Sequence, residues 1–275
     1  MIIELFISLI GVLTSVFGCI FVWNQGHWAH YFYRAPLLFL LGYIIGLILA
    51  WCLIWLIGRF YKRKKPYEHV HKFAKLILNS GITYITNHAL ILTKVIGKEK
   101  IPSNQRFLMV CNHKSNFDSF LISKYFGKYD LGFISKESNM RKIPLAGPLM
   151  RANCYLAIDR SDKLQSLEVM KRAIHYVENN ISSIVVFPEG TRQKEDVVLG
   201  PFHEGVFNIA LKGNVPIVIT TVKGTKKISK NAPFRFSKTK LEVIGVIYPD
   251  EFGDKTCKEI SDQVHQIMYD DLIKE

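Results

Sequence analysis

Two long apolar runs near the amino terminus constrain this chain before any motif does. They are residues 2–23, "IIELFISLIGVLTSVFGCIFVW", and 35–58, "APLLFLLGYIIGLILAWCLIWLIG". At ~1.5 Å rise per residue each reaches ~33 to 36 Å as a helix, enough to cross a hydrocarbon core of ~30 Å. Either run alone would also suit a buried core helix; two in tandem predict a membrane anchor over residues 1–60. The first run lacks the marks of a cleaved signal, since no basic residue precedes it, Glu4 stands where cations are expected, and no small-x-small site follows.

Charge is distributed to match. Residues 1–58 hold only Glu4 and Arg34, so of 36 basic and 23 acidic residues, 35 and 22 lie beyond them, and the net +13 sits entirely on residues 59–275. Such a basic region wants an anionic neighbour: lipid headgroups, phosphorylated small molecules or nucleic acid. No recognised nucleic-acid-binding motif accompanies the charge, and the anchor speaks against that partner. After the second run come Arg59, Lys62, Arg63, Lys64 and Lys65, whereas the linker 24–34, "NQGHWAHYFYR", has one Arg. The positive-inside rule therefore puts the basic region on the cytoplasmic face of the membrane. Two crossings and a hairpin dipping into one leaflet give it the same side, and both stay open. His27 and His30 fit an aromatic interfacial belt better than a metal site.

Residues 61–94 read as a basic, amphipathic, interfacial helical segment. Pro66 is placed to open a helix at its first position. Val70, Phe73, Ala74, Ile77, Leu78 and Ile82 then recur at helical spacing. That face either lies on the bilayer or packs on the domain behind it.

Residues 95–275 alternate short apolar runs with amphipathic stretches. Strands are predicted at 106–111, 131–135, 153–158, 183–188, 215–220 and 240–247, and helices at 116–126, 163–179, 203–213 and 255–273. In the second helix Leu164, Leu167, Met170, Ile174 and Val177 form a stripe, with Ser161 or Asp162 as cap. Near-continuous apolar strands such as "IVVF" and "VPIVIT" predict an α/β fold, a mainly parallel central sheet flanked by helices and preceded by the two membrane-embedded helices. In such sheets ligands gather at the carboxyl ends of the strands. Five scattered cysteines (19, 52, 111, 154, 257) without a Cys-x-x-Cys, and nine histidines without metal spacing, predict no disulfide framework and no metal.

Three predicted strands end in chemistry-bearing residues. The first is followed by "NHKSNFD", which sets His113 five positions before Asp118. Ser115-x-x-Asp118 has the form of a capping box, in which Asp118 satisfies backbone donors of the first helical turn. Equally, a carboxylate on one imidazole nitrogen fixes the tautomer and leaves the other nitrogen to take a proton. Cys111 and Ser115 or Ser119 are alternative nucleophiles, but Cys111 ends an apolar strand and no Gly-x-Ser-x-Gly elbow occurs. The second strand end is "VVFPEGTRQ", 185–193, where Gly190 lets the backbone turn its amides inward and Arg192 offers a fork for phosphate oxygens. The third is "YLAIDR", 155–160, ending in Arg160. Taken together they describe a general base beside a phosphorylated ligand.

These motifs resemble the glycerophospholipid acyltransferase family, most closely the 1-acyl-glycerol-3-phosphate acyltransferases. Asn112-His113-Lys114-Ser115-Asn116-Phe117-Asp118 is similar to its Asn-His-x4-Asp motif, and Phe187 to Arg192 to its Phe-Pro-Glu-Gly-Thr-Arg motif. Arg160, and "VPIVIT" with Pro216, complete the order over residues 95–222. The resemblance implies His113 as general base, oriented by Asp118. It further implies Lys136, Arg160, Glu189, Gly190, Thr191 and Arg192 around the glycerol phosphate, with Asn112 and Pro216 in support. Ala152 and Asn153 depart from the glycine that relatives carry at the second motif.

The implied reaction moves a fatty acyl group from a thioester, acyl-CoA or acyl carrier protein, to the 2-hydroxyl of lysophosphatidic acid. It makes phosphatidic acid for phospholipid biosynthesis, with no acyl-enzyme, no metal and no bound cofactor. Anionic membrane lipids are expected partners and nucleic acid is not. Glycerol-3-phosphate or another lysophospholipid is the alternative acceptor, and a catalytically silent, membrane-tethered binder of anionic lipids is the alternative from another class.

Overall fold

In the computed structural model, which describes residues 2–22, 31–61, 66–142, 146–193 and 197–274, the two apolar runs are antiparallel helices. Helix α1 spans Ile2–Phe17 and runs on as a π-helical turn, Gly18–Val22; α2 spans Tyr31–Arg59. Both are long and apolar enough to cross a membrane. They pack closely because Gly11, Gly42 and Gly46 face the contact: a Cβ at Gly42 would come within 2.6 Å of the Thr14 side chain, and one at Gly46 within 3.1 Å of the Ile7 carbonyl. The expected interfacial histidines His27 and His30 and the basic cluster Lys62, Arg63, Lys64 and Lys65 lie outside the described residues.

Behind the two apolar helices stands a seven-stranded sheet of order β1-β7-β6-β2-β5-β3-β4. Its strands are β1 (Ile91–Ile96), β2 (Leu108–Cys111), β3 (Leu131–Lys136), β4 (Leu156–Ile158), β5 (Ser183–Val186), β6 (Ile217–Lys223) and β7 (Ser237–Ile247). Every neighbouring pair is parallel except β6–β7, so the sheet is mainly parallel as expected. Continuous apolar sequence in β2, β5 and β6 follows from burial on both faces. In β2, Leu108 and Val110 face one core layer with Tyr176, Phe207 and Met268, while Met109 and Cys111 face another with Leu121, Ile122 and Phe126. One layer is covered by α7 (Lys163–Glu178), α8 (Asn208–Gly213) and α10 (Cys257–Ile273), and the other by α4 (Phe117–Phe126).

Where the structure departs from expectation, a packing reason is visible. Strand β1 was not foreseen: Thr93 and Lys94 break its apolar run, and it pairs on one side only, with β7, so the sheet begins before residue 95. The helix expected to open at Pro66 begins instead at Lys72 and runs to His88 as α3. Before it starts, the His71 amide donates to the Ala152 carbonyl (2.9 Å), which docks the chain on α6 (Gly147–Ala152). Of the two placements expected for α3, the packed one is seen: Ala74 and Tyr84 pack with Ile3 and Ile7 of α1, Ala50 and Ile54 of α2, and Leu149 of α6. In α7 Asp162 is the cap, accepting from the Gln165 amide at 3.0 Å. Its buried stripe is Val169, Ala173, Tyr176 and Val177, turned about one residue, ~100°, from the expected one. Leu164 and Leu167 are thereby left 77% and 53% exposed.

The close approach of the anchor helices makes a prediction. Gly42→Leu forces α1 and α2 apart and should lower the thermal midpoint of the detergent-solubilised protein, at a cost of about 1–3 kcal/mol typical of overpacking. Gly245→Ala, where a Cβ meets no atom within 4 Å, should leave it unchanged. Equal midpoints would mean the helices are not packed at Gly42.

Candidate active site

At the carboxyl end of β2 the chain leaves the sheet through Asn112, whose buried amide is used on both sides: Nδ2 donates to the Val222 carbonyl (3.0 Å) and Oδ1 accepts from the Val222 amide (2.8 Å). Asn112 thus replaces a strand residue by its side chain and ties the exit of β2 to β6. His113 follows, and its Nδ1 lies 3.0 Å from Oδ2 of Asp118 in the first turn of α4.

Asp118 is fully buried, and its environment explains why it can remain there. Oδ2 also accepts from the Lys114 and Ser115 amides, both at 2.7 Å, and Oδ1 accepts from Thr225 Oγ1 at 2.5 Å. The carboxylate orients the imidazole and ties down the loop ahead of α4, rather than capping the first turn of that helix, which has no side-chain cap hydrogen bond. Because the carboxylate accepts, Nδ1 carries the hydrogen and Nε2 is left as the acceptor of the ring. Phe187 stacks on the imidazole, centroids 4.3 Å apart, and restricts its rotation.

Glu189, expected at the phosphate, has its carboxylate turned inward and 3% exposed. Oε1 accepts the His113 amide at 2.6 Å and Oε2 the Gly200 amide at 2.8 Å. Burial pushes its carboxyl above the ordinary range, opposed by those two amides and the charge of Lys114. Its oxygens are thus committed to holding the His113 loop to the Pro188–Gly190 turn. Gly190 has φ +69°, and a Cβ there would come within 2.6 Å of Arg160 Nη1 and 2.8 Å of His203, so the position requires glycine. The bare carbonyl of Gly190 accepts from Arg160, which fixes the guanidinium beside the turn.

His113, Lys136, Arg160, Phe187 and Gly190 line one cleft of about 450 Å³, together with Phe117, Phe120, Phe133, Met150 and Tyr155. An imidazole, two cations and an apolar wall therefore share one concavity at the carboxyl ends of β2, β3, β4 and β5. Thr191 and Arg192 are exposed on the adjoining turn; among the described residues, Arg192 is not part of the cleft's lining. Pro216 lies at the other end of the sheet, where its carbonyl accepts the Leu108 amide (2.9 Å) and sets the register of β6 on β2. Residues 143–145, in the Ile-Pro-x-x-Gly stretch after Lys136, lie outside the described residues. Where relatives carry glycine near the second motif, Asn153 Nδ2 donates to the Leu149 carbonyl (2.7 Å) and the left-handed conformation falls on Cys154, φ +60°.

Thr225 and Phe187's stacking were not legible beforehand: Thr225 is 107 residues from Asp118, in a stretch without any motif. Cys111 is fully buried, and burial, followed by the Asp118 and Glu189 charges, pushes its thiol well above the ordinary range. Such a thiol is no nucleophile at neutral pH.

Known proteins resemble this chain in sequence and in fold. The family model described as Acyltransferase matches residues 93–223. A 1-acyl-sn-glycerol-3-phosphate acyltransferase of Saccharomyces cerevisiae is 24% identical over 66% of this chain and 63% of its own, and one of Cocos nucifera is 30% identical over 62% and 55%. The match thus spans less than two thirds of those relatives' lengths. The crystal structure of the 1-acyl-sn-glycerophosphate (LPA) acyltransferase of Thermotoga maritima superposes with a TM-score of 0.58 at 22% identity, covering 85% of this chain and 94% of that one, a likeness of fold. Residues 93–223, which the Acyltransferase family model matches, are the stretch that builds the cleft.

Proposed function

We propose that the protein is a membrane-anchored 1-acyl-sn-glycerol-3-phosphate acyltransferase, which acylates the 2-hydroxyl of lysophosphatidic acid from an acyl thioester and produces phosphatidic acid. The observation that carries this reading is the Asp118-held imidazole of His113 in a cleft that also holds Lys136 and Arg160. In it, Nε2 takes the proton of the 2-hydroxyl as that oxygen attacks the thioester carbonyl. The carbon–sulfur bond then breaks, and the imidazolium returns its proton to the departing thiolate. No acyl-enzyme, metal or bound cofactor is needed, and acyl-CoA or acyl carrier protein serves as co-substrate. Base assistance of this kind is worth about 10² to 10⁴ in rate. Lys136 and Arg160 hold the acceptor's phosphate, with Arg192 at the outer edge, so that orientation adds to the acceleration.

An apolar pocket adjoining the cleft supports the lipid nature of the substrates. It shares Phe120, Met150 and Tyr155 with the cleft and is closed by Trp51 and Ile54 of α2. A fatty chain lying there touches the anchor itself, so substrate and product need not leave an apolar environment. In this reading the anchor is embedded in the membrane, and the basic residues after it favour the cytoplasmic face and anionic lipids.

Three experiments test this reading. His113→Ala should reduce acyl transfer by at least about 10²-fold while thermal stability and membrane association persist; unchanged turnover, across a panel of phosphorylated and unphosphorylated acceptors, would refute the mechanism and favour a silent lipid binder. Thr225→Val removes one hydrogen bond to the Asp118 carboxylate, so kcat should fall about tenfold with KM nearly constant; an altered KM with intact kcat would place Thr225 at the substrate instead. Because the Cys111 thiol is held up by burial and two carboxylates, Cys111→Ala should stay within about threefold of the parent. Loss of turnover without loss of stability in that variant would reopen the thiol route.

A further inference from the structure

Between β6 and β7 the chain builds an exposed surface that the catalytic reading does not use. From residue 223 to 241 it carries seven lysines and arginines and no carboxylate. Phe234 and Phe236 stand in the middle of this stretch, 90% and 63% exposed. They are held there rather than loosely attached. Ile228 of α9 (Ile228–Asn231) is buried, and the Asn231 carbonyl accepts the amides of Phe234 (3.1 Å) and Arg235 (2.8 Å). Its side-chain amide donates to Ser237 Oγ at 3.0 Å and to the Phe236 carbonyl at 3.3 Å. A fixed turn therefore displays two aromatic rings to solvent, each ring forgoing the free energy of burial, among Lys227, Lys230, Arg235 and Lys238, which are also exposed.

The position of this turn matters as much as its composition. Thr225, at its start, bonds to Asp118, so the turn lies at the carboxyl end of the sheet, beside the cleft. The anchor leaves the domain at the same end. Helix α3 runs from Lys75, paired with Asp130 just before β3 (2.5 Å), up to His88, close to Ile91, which pairs in register with Ser237. Helix α2 runs the opposite way along it: Tyr61 meets His71 (3.3 Å) at the lower end, and Tyr43 meets Tyr84 (3.2 Å) and His88 (3.1 Å) at the upper. Residues 31–42 of α2, about 18 Å of helix, therefore continue beyond the contact with His88 at that end.

We infer that the β6–β7 turn is a second membrane contact, docking Phe234 and Phe236 into the interface of an anionic bilayer while its cations meet the headgroups. Aromatic rings beside an excess of Lys and Arg suit the headgroup boundary, where the ring body is apolar and the surface potential negative. Such a contact holds the mouth of the cleft against the lipid that supplies the acceptor. The inference rests on the anchor's being embedded, and the test separates the two.

The test uses the full chain in vesicles of phosphatidylcholine containing about 30% phosphatidylglycerol and a radiolabelled phospholipid, in a range where the surface potential is strongly negative. The photoreactive residue p-benzoylphenylalanine replaces, one at a time, Leu40 in the anchor, Phe234 in the turn, and Asp254, beyond the far end of β7. Label is expected on the Leu40 and Phe234 variants and not on the Asp254 variant. At Phe234 it should fall at least about fivefold in pure phosphatidylcholine, or when Lys227→Glu and Lys230→Glu are added, with the Leu40 signal unchanged. Label at Leu40 without label at Phe234 overturns the inference and leaves the anchor reading standing. So does cross-linking of Phe234 to a second copy of the chain, or equal label on neutral and anionic vesicles. No label at Leu40 removes the anchor reading, and this inference with it.

Discussion

A single buried carboxylate holds the site together. Asp118 has no exposure to water and would be costly to keep ionised without partners. It has four donors: the imidazole, two consecutive backbone amides of its own loop, and the hydroxyl of Thr225 from beyond β6. Those donors come from two segments more than a hundred residues apart, so seating the Asp118 side chain and closing the loops around His113 are one event. A partly satisfied carboxylate here would be worse than an apolar residue, which gives the geometry a narrow tolerance.

Glu189 repeats the device on the other side of His113. Its two oxygens accept the backbone amides of His113 and Gly200, and so join the loop after β2, the turn after β5 and the stretch leading to α8. The imidazole is consequently fixed through its ring by Asp118, through its backbone by Glu189, and across its face by Phe187. Cations that line the cleft are then carried by the neighbouring strand ends, Lys136 as the last residue of β3 and Arg160 after β4, the latter steadied by the Gly190 carbonyl. The division of labour is physical: a carboxylate facing the cleft would offset the charge of its cations, whereas one turned inward organises the loops around them.

Anchor and domain form one packed unit. Helix α3 is the joint, with Ala74 and Tyr84 in a shared apolar cluster with Ile3, Ile7, Ala50 and Ile54, and the pocket beside the cleft uses Trp51 and Ile54 as part of its wall. The site is therefore built at the boundary between the part of the chain suited to lipid and the part suited to water.

Composition and periodicity alone determined the two apolar helices, the basic domain behind them and the mainly parallel sheet. Those properties depend on runs of like residues, such as "IVVF" or residues 35–58, whose burial is decided locally. The pair His113 and Asp118 was legible because five residues separate them and a helix start brings them together. What lies far apart in sequence was decided by the tertiary structure. Thr225 has no motif to mark it, Pro216 proved to belong to the opposite end of β6, and Glu189 has its carboxylate turned inward to backbone amides. Edge strand β1 and the rotated stripe of α7 belong to the same class. A local pattern states which residues are apolar, but which of them are covered depends on where the sheet and its neighbours come to rest.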